Sequence, residues 1–174
     1  MKVVFLDRDG TIIENIGYCS RPEDINILPT VPEAIKLLNE NGFKVIIITN
    51  QSGIGRGHFT EEDLAKVHKK LVDDLSEQNA IIDAIYYCPH HPKDNCECRK
   101  PKTALFKKAI KEFNINVKKS FVIGDSRCDI EAGKHIWCRT ILLGNKIVGE
   151  NGNIISDYFS NSFIGGIRWI LSQK

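Results

Sequence analysis

Runs rich in Val, Ile, Phe and Tyr, at positions 2–6, 43–49, 81–87, 120–124 and 139–143, alternate along the chain with segments of helical spacing at 31–41, 61–78, 103–114 and 126–135. Most of these runs are apolar almost throughout, as strands are when both of their faces are covered. Strand and helix taking turns in this way need right-handed crossovers, so the expected fold class is α/β, a doubly wound parallel sheet. The 174 residues suffice for one well-buried core, and 1–174 is expected to be a single domain.

Several boundaries carry their own signals. Thr60 with Asp63 three residues on forms a capping pattern, Pro32 suits a first helical turn, and Gly42 suits a helix exit. The stretch QSGIGRG, 51–57, is too glycine-rich for a helix and reads as a loop, either carrying Arg56 toward a remote substrate group or serving as a flexible connector. Beyond Gly144 comes a polar loop, NKIVGENGN, then a segment at 154–159 and an amphipathic stretch at 163–171.

In an open parallel sheet, ligands bind beyond the carboxyl ends of the strands, where the winding reverses. The first run leads into Asp7, Asp9 and Gly10, the second ends at Thr49 and Asn50, and the fourth ends at Asp125. A lone D-x-D-G is ordinary turn chemistry. Three polar strand ends on one side of a sheet are more informative, because crowded carboxylates repel one another unless a cation joins them. Oxygen-only ligands suit Mg²⁺, which commonly binds together with a substrate phosphate, so a small phosphorylated metabolite is the expected partner. Asp129 reads equally as a helix cap with Ser126 and as an additional metal-site residue.

The net charge of +2 provides no large field to attract nucleic acid or an anionic membrane. No apolar run approaches the roughly 20 residues of a membrane span. Asp7-Arg8-Asp9 also interrupts the start too early for a secretory signal. A cytoplasmic location and a monomer are expected, with six cysteines that are not disulfide-bonded.

Cys88-x-His90 and Cys96-x-Cys98 are two ligand pairs joined by HPKDN, whose turn formers fold them together. Three thiolates and an imidazole match a closed, structural Zn²⁺ site, although spacing alone leaves His90 and His91 equally placed. Cys19, Cys128 and Cys138 are scattered and read as packed free thiols. Arg99 and Lys100 follow Cys98 at once. A lysine anchored beside a rigid site is a better catalytic cation than Lys102, which reads as a solvated first-turn residue; Arg99 is a candidate for a second phosphate. Gln51, Ser52 and Arg56 are candidates to face the substrate, and Tyr18 and Arg21 to border the pocket.

DRDGT at 7–11, TN at 49–50, the lysine of CRKP and GDSRCD at 124–129 together resemble the phosphatases of the haloacid dehalogenase superfamily, in the expected order and over most of the chain. The resemblance implies a Rossmann-like fold in which Asp7 is the nucleophile, forming an aspartyl-phosphate, and Asp9 the general acid and base. It further implies Mg²⁺ held by Asp7, Asp125 and the carbonyl of Asp9, with Thr49, Asn50 and the motif lysine on the phosphoryl oxygens. CPHHP and C-x-CRKP are similar to a branch with minimal or no cap, the heptose-bisphosphate and histidinol-phosphate phosphatases, and imply Cys88, His90, Cys96 and Cys98 as the zinc ligands. GY at 17, RPED at 21 and TNQSGIGRGHFT at 49 favour the heptose-bisphosphate side; the short zinc loop and CRKPK lean toward histidinol phosphate. Ser126 stands where Lys or Arg is frequent in both. The expected reaction is removal of the 7-phosphate of D-glycero-D-manno-heptose 1,7-bisphosphate, with histidinol phosphate as the alternative substrate.

Overall fold

The computed structural model describes residues 1–144 and 155–173. Among these residues six strands, β1 (Val3–Leu6), β2 (Lys44–Asn50), β3 (Ala84–Cys88), β4 (Phe121–Gly124), β5 (Arg139–Leu143) and β6 (Tyr158–Ser160), form one sheet in the order β3-β2-β1-β4-β5-β6. Every pairing is parallel; Val4, for example, faces Val45 of β2 on one side and Phe121 of β4 on the other. The chain winds outward from β1 to β3, then crosses back to β4 and winds the other way. The reversal therefore falls between β1 and β4, where such sheets place their ligands.

Helices α1 (Val31–Glu40), α3 (Glu61–Ser76) and α6 (Phe163–Ser172) cover one face; α4 (Ala104–Phe113) and α5 (Arg127–His135) cover the other. Alternation along the strands divides the core accordingly. Val4, Leu6, Val45, Ile47 and Ile123 point to the first layer, and Val3, Phe5, Ile46, Ile48 and Val122 to the second. Each such fully buried aliphatic side chain contributes roughly 1.5–3 kcal/mol relative to exposure. Both faces being covered is why the strand sequences lack polar alternation.

Thr60 and Asp63 form the capping box at the start of α3, Pro32 lies in the first turn of α1, and Gly42 leaves α1 at φ +75°. The expectation for 51–57 is corrected: Ser52–Gly55 is a short helix, α2. Its glycines permit close packing, since a Cβ on Gly53 would lie 2.1 Å from Phe59 Cε1, and one on Gly55 2.3 Å from the His91 backbone nitrogen. The polar loop 145–153 and position 154 lie outside the described residues. Among the described residues no helix is long and apolar enough to cross a membrane.

Candidate active site

Asp7 follows β1, Asp125 follows β4, and Asp129 sits in the first turn of α5; their carboxylate oxygens lie within 4.8 Å of one another. Glycines make that approach possible. Gly10 turns the chain at φ +82°, and a Cβ there would stand 2.1 Å from Asp125 Oδ2; one on Gly124 would stand 2.3 Å from Asp129 Cγ. Among these acids lies the ammonium of Lys100, 2.7 Å from Asp7 Oδ1, 2.6 Å from Asp129 Oδ1 and 2.6 Å from the Ile48 carbonyl. Burial works against that charge, but Asp129 and Asp7 outweigh it and hold Lys100 above the ordinary lysine range. Asp7 is pushed up to about 7 by burial, with Lys100 opposing and Asp129 reinforcing. Asp125 is raised by burial and then by Asp129.

One ammonium among three carboxylates leaves two negative charges to be balanced, the charge of one divalent cation. The all-oxygen donor set is that of Mg²⁺, so these residues fit the ion. Asp129 has two tasks at once. Its Oδ2 accepts from the Ser126 backbone N–H at 3.2 Å and from the Ser126 hydroxyl, closing the capping box of α5, while its Oδ1 meets Lys100.

Asp9 is held separately. Arg8, 1% exposed, donates from Nε to Asp9 Oδ2 at 3.1 Å and from Nη2 to Oδ1 at 3.0 Å, and Gln51 Nε2 donates to Oδ2 at 2.9 Å. Gln51 also accepts from Arg8 Nη2 at 3.1 Å and donates to Thr49 Oγ1 at 3.0 Å. The remaining Arg8 nitrogen, Nη1, lies 3.2 Å from Nε2 of His68 on α3. Neither Arg8 nor His68 is singled out by sequence reasoning. The available signal for His68 is a histidine in register with Leu64, Leu71 and Leu75 on the buried stripe of its helix.

Cys88 ends β3, beside Asn50 of β2. Its sulfur lies 3.5 Å from that of Cys96 and 3.1 Å from that of Cys98, while His90 Nδ1 stands 3.7 Å from Cys88 and 3.1 Å from Cys98. Tetrahedral zinc with Zn–S bonds of about 2.3 Å spaces sulfurs roughly 3.8 Å apart, so a small expansion of this cluster accommodates the ion. Burial and hydrogen bonding push Cys88 up to about 12; Cys96, though raised by burial, is brought down to about 7 by hydrogen bonds from Cys88 and Cys98. Such a trio of thiols ionises together only around a cation, which is the chemistry of zinc. His90 belongs to the cluster, whereas His91 accepts from the Lys93 N–H and caps the short turn at Pro92–Asp94.

A cavity of about 260 Å³ opens over the strand ends, lined by Asp7, Asp9, Thr49, Asn50, Gln51, Ser52, Lys100 and Asp125, with Gly17, Tyr18 and Cys128 at its sides. Asn50 spends its amide on the backbone of Lys100, and Thr49 Oγ1 is taken by Gln51. Arg99 and Arg56 do not line the cavity: Arg56 is exposed, and Arg99 buries an Nη1 that has no hydrogen-bond partner. Lys102 is not simply solvated as expected. It braces the loop by donating to Asn95 and pairing with Glu97 at 2.9 Å.

Residues 2–140 match the family model described as polynucleotide kinase 3 phosphatase. The chain is 36% identical to the D-glycero-beta-D-manno-heptose-1,7-bisphosphate 7-phosphatase of Haemophilus influenzae, covering 94% of this chain and 93% of the relative. It is 41% identical to the protein of the same name from Helicobacter pylori, covering 82% and 83%. Its backbone superimposes with a TM-score of 0.90 and 27% identity, over 100% of both chains, on the crystal structure of D,D-heptose 1,7-bisphosphate phosphatase from B. bronchiseptica complexed with magnesium and phosphate.

Proposed function

As the chain belongs to the polynucleotide kinase 3 phosphatase family and is a phosphatase of the haloacid dehalogenase superfamily, we propose that it removes the 7-phosphate of D-glycero-D-manno-heptose 1,7-bisphosphate through an aspartyl-phosphate on Asp7. The observation that carries this reading is the Lys100 ammonium buried between Asp7 and Asp129 at the point where the sheet reverses its winding. The Lys100 ammonium orients the Asp7 carboxyl and opposes the burial that raises it; once ionised, that carboxylate attacks phosphorus without a separate base. As the P–O bond breaks, Asp9 gives its proton to the departing alkoxide. Asp9 then takes a proton from the water that cleaves the aspartyl-phosphate, returning Asp7 and releasing inorganic phosphate. Lys100 offsets the charge on the equatorial oxygens of the transferring group.

Mg²⁺ held by Asp7, Asp125 and the Asp9 carbonyl, with Asp129 behind them, would supply further charge neutralisation at the phosphoryl group. Zn²⁺ held by Cys88, His90, Cys96 and Cys98 would fix the loop that delivers Lys100. We propose Arg99 for the second phosphate of the substrate on its place beside Lys100 and its unpartnered guanidinium nitrogen; as it does not line the cavity, its side chain would have to turn toward it. We place this reaction in the cytoplasm, a reducing setting in which clustered thiols serve a metal rather than disulfides.

The test is a kinetic comparison of heptose 1,7-bisphosphate and histidinol phosphate at saturating Mg²⁺, with Asp7→Asn as control. A higher kcat/KM for the heptose, abolished by Asp7→Asn, is expected. Preference for histidinol phosphate would overturn the substrate, and phosphate release by Asp7→Asn would overturn the mechanism.

A further inference from the structure

The acid–base group itself is supported from behind by Arg8 and His68, which do not line the cavity, together with Gln51, which does. A carboxylate offers about four acceptor positions. On Asp9 three are filled: Oδ2 by Arg8 Nε and Gln51 Nε2, and Oδ1 by Arg8 Nη2. One position remains, on Oδ1, so the proton has a single place to sit. Arg8 is fixed in turn by Gln51 Oε1 and by His68 Nε2. Arginine only donates, so His68 must accept through Nε2 and carry its own proton on Nδ1. Burial, followed by the nearby guanidinium, pushes His68 down to about 3, which keeps it neutral and able to accept. Its ring is held edge-on to Tyr87 at 5.8 Å, so α3 and β3 both determine where Arg8 stands.

We propose that Arg8, seated by His68, is a positioning residue that aims Asp9 Oδ1 at the leaving oxygen of the substrate, so that the proton passes from Asp9 to the alkoxide as the P–O bond breaks. This rests on the acid role given to Asp9 above. An arrangement that merely neutralised a buried charge would affect every substrate alike. An aiming arrangement matters only where the leaving group needs a proton.

That difference supplies the experiment. Because kcat/KM ends at departure of the alcohol, it isolates the half-reaction in which the acid acts. kcat/KM is measured with Mg²⁺ for heptose 1,7-bisphosphate, whose alkoxide leaves badly, and for p-nitrophenyl phosphate, whose phenolate needs no proton. His68→Phe keeps a ring but removes the acceptor; Arg8→Lys keeps the charge but loses the two-pronged grip, and serves if His68→Phe does not fold. A misaimed acid is expected to lower the heptose-to-aryl ratio by tenfold to about a hundredfold. A parallel loss on both substrates, with the ratio unchanged, overturns the proposal. Asp9→Asn separates the two readings: if it lowers the ratio while His68→Phe and Arg8→Lys do not, only the positioning role fails. If Asp9→Asn leaves the ratio unchanged, the acid role fails and the positioning role with it.

Discussion

The side-chain amide of Asn50 and the backbone of Lys100, fifty residues later, exchange two hydrogen bonds: the Lys100 N–H donates to Oδ1 at 3.0 Å, and Nδ2 donates to the Lys100 carbonyl at 3.3 Å. The end of β2 thereby grips the residue whose ammonium enters the carboxylate cluster. Fixing the main chain on that side, with the cysteine cluster just upstream, leaves little freedom for the lysine stem to lose when phosphate arrives.

Asn50→Ala removes that grip while leaving every charge in place. The expected result is a fall in kcat/KM of roughly 10²-fold from misplacement of Lys100. Stability should drop by about 1–3 kcal/mol from the unsatisfied backbone groups. Stopped assays and urea melts measure the two, and unchanged kinetics would show that Lys100 is held by other means.

Asp129→Ala should cost more than a helix cap alone, for which about 1 kcal/mol is usual. It also strips a buried partner from Lys100, a class of change that costs about 3–5 kcal/mol. Asp129→Asn, which retains an oxygen for the Ser126 N–H, should recover the cap and not the ion pair. Calorimetric titration of both variants with Mg²⁺ is expected to show weakened binding; binding at wild-type strength would confine Asp129 to capping and pairing.

Acid should unfold the protein partly through His68. Its folded value, about 3, lies below the ordinary 6.5, so the folded state prefers the neutral ring. The stability it contributes is fully present above about pH 6.5 and is lost as pH falls toward 3, at up to about 1.4 kcal/mol per unit. Urea midpoints from pH 7 to 4 should therefore fall more steeply for the wild type than for His68→Phe. Parallel curves would mean that His68 charges freely in the folded state.

Removing zinc should act on the lysine and leave the nucleophile alone. Chelation under reducing conditions is expected to lower kcat/KM about tenfold or more. Zinc, and not added Mg²⁺, should restore it, with metal content measured on the same sample. Full activity in a zinc-free protein would show that the loop holds its shape unaided.

The layer order and the strand ends were legible in the residues because strands covered on both faces carry a distinctive run of Val, Ile and Phe, and because parallel topology dictates where ligands lie. Asp7, Asp9, Asp125, Thr49 and Asn50 meet at one rim for that reason. The partnerships behind them were not legible. Asn50 looks like a phosphate-facing amide, yet its hydrogen bonds go to a main chain fifty positions away, and local pattern carries no trace of such a bond. Arg8, flanked by two aspartates, carries no local sign that it is almost wholly buried. In α2 the glycines suggested looseness because their use is close approach to Phe59 and to the His91 backbone, which only three dimensions reveal.

The reversal of winding between β1 and β4 also sets a schedule for the chain as it is made. Asp125 is synthesised 118 positions after Asp7, so at about 5–20 residues per second Asp7 precedes its companion carboxylate by roughly 6–24 s. Until β4 docks beside β1, residues 1–100 already include both Asp7 and Lys100 but have no wall on the Asp125 side. Joining these distant segments is a contact of high sequence separation, the slow kind in folding. Phosphate-handling competence is thus among the last properties the growing chain acquires, and a nascent or truncated molecule ending before β4 has half a site.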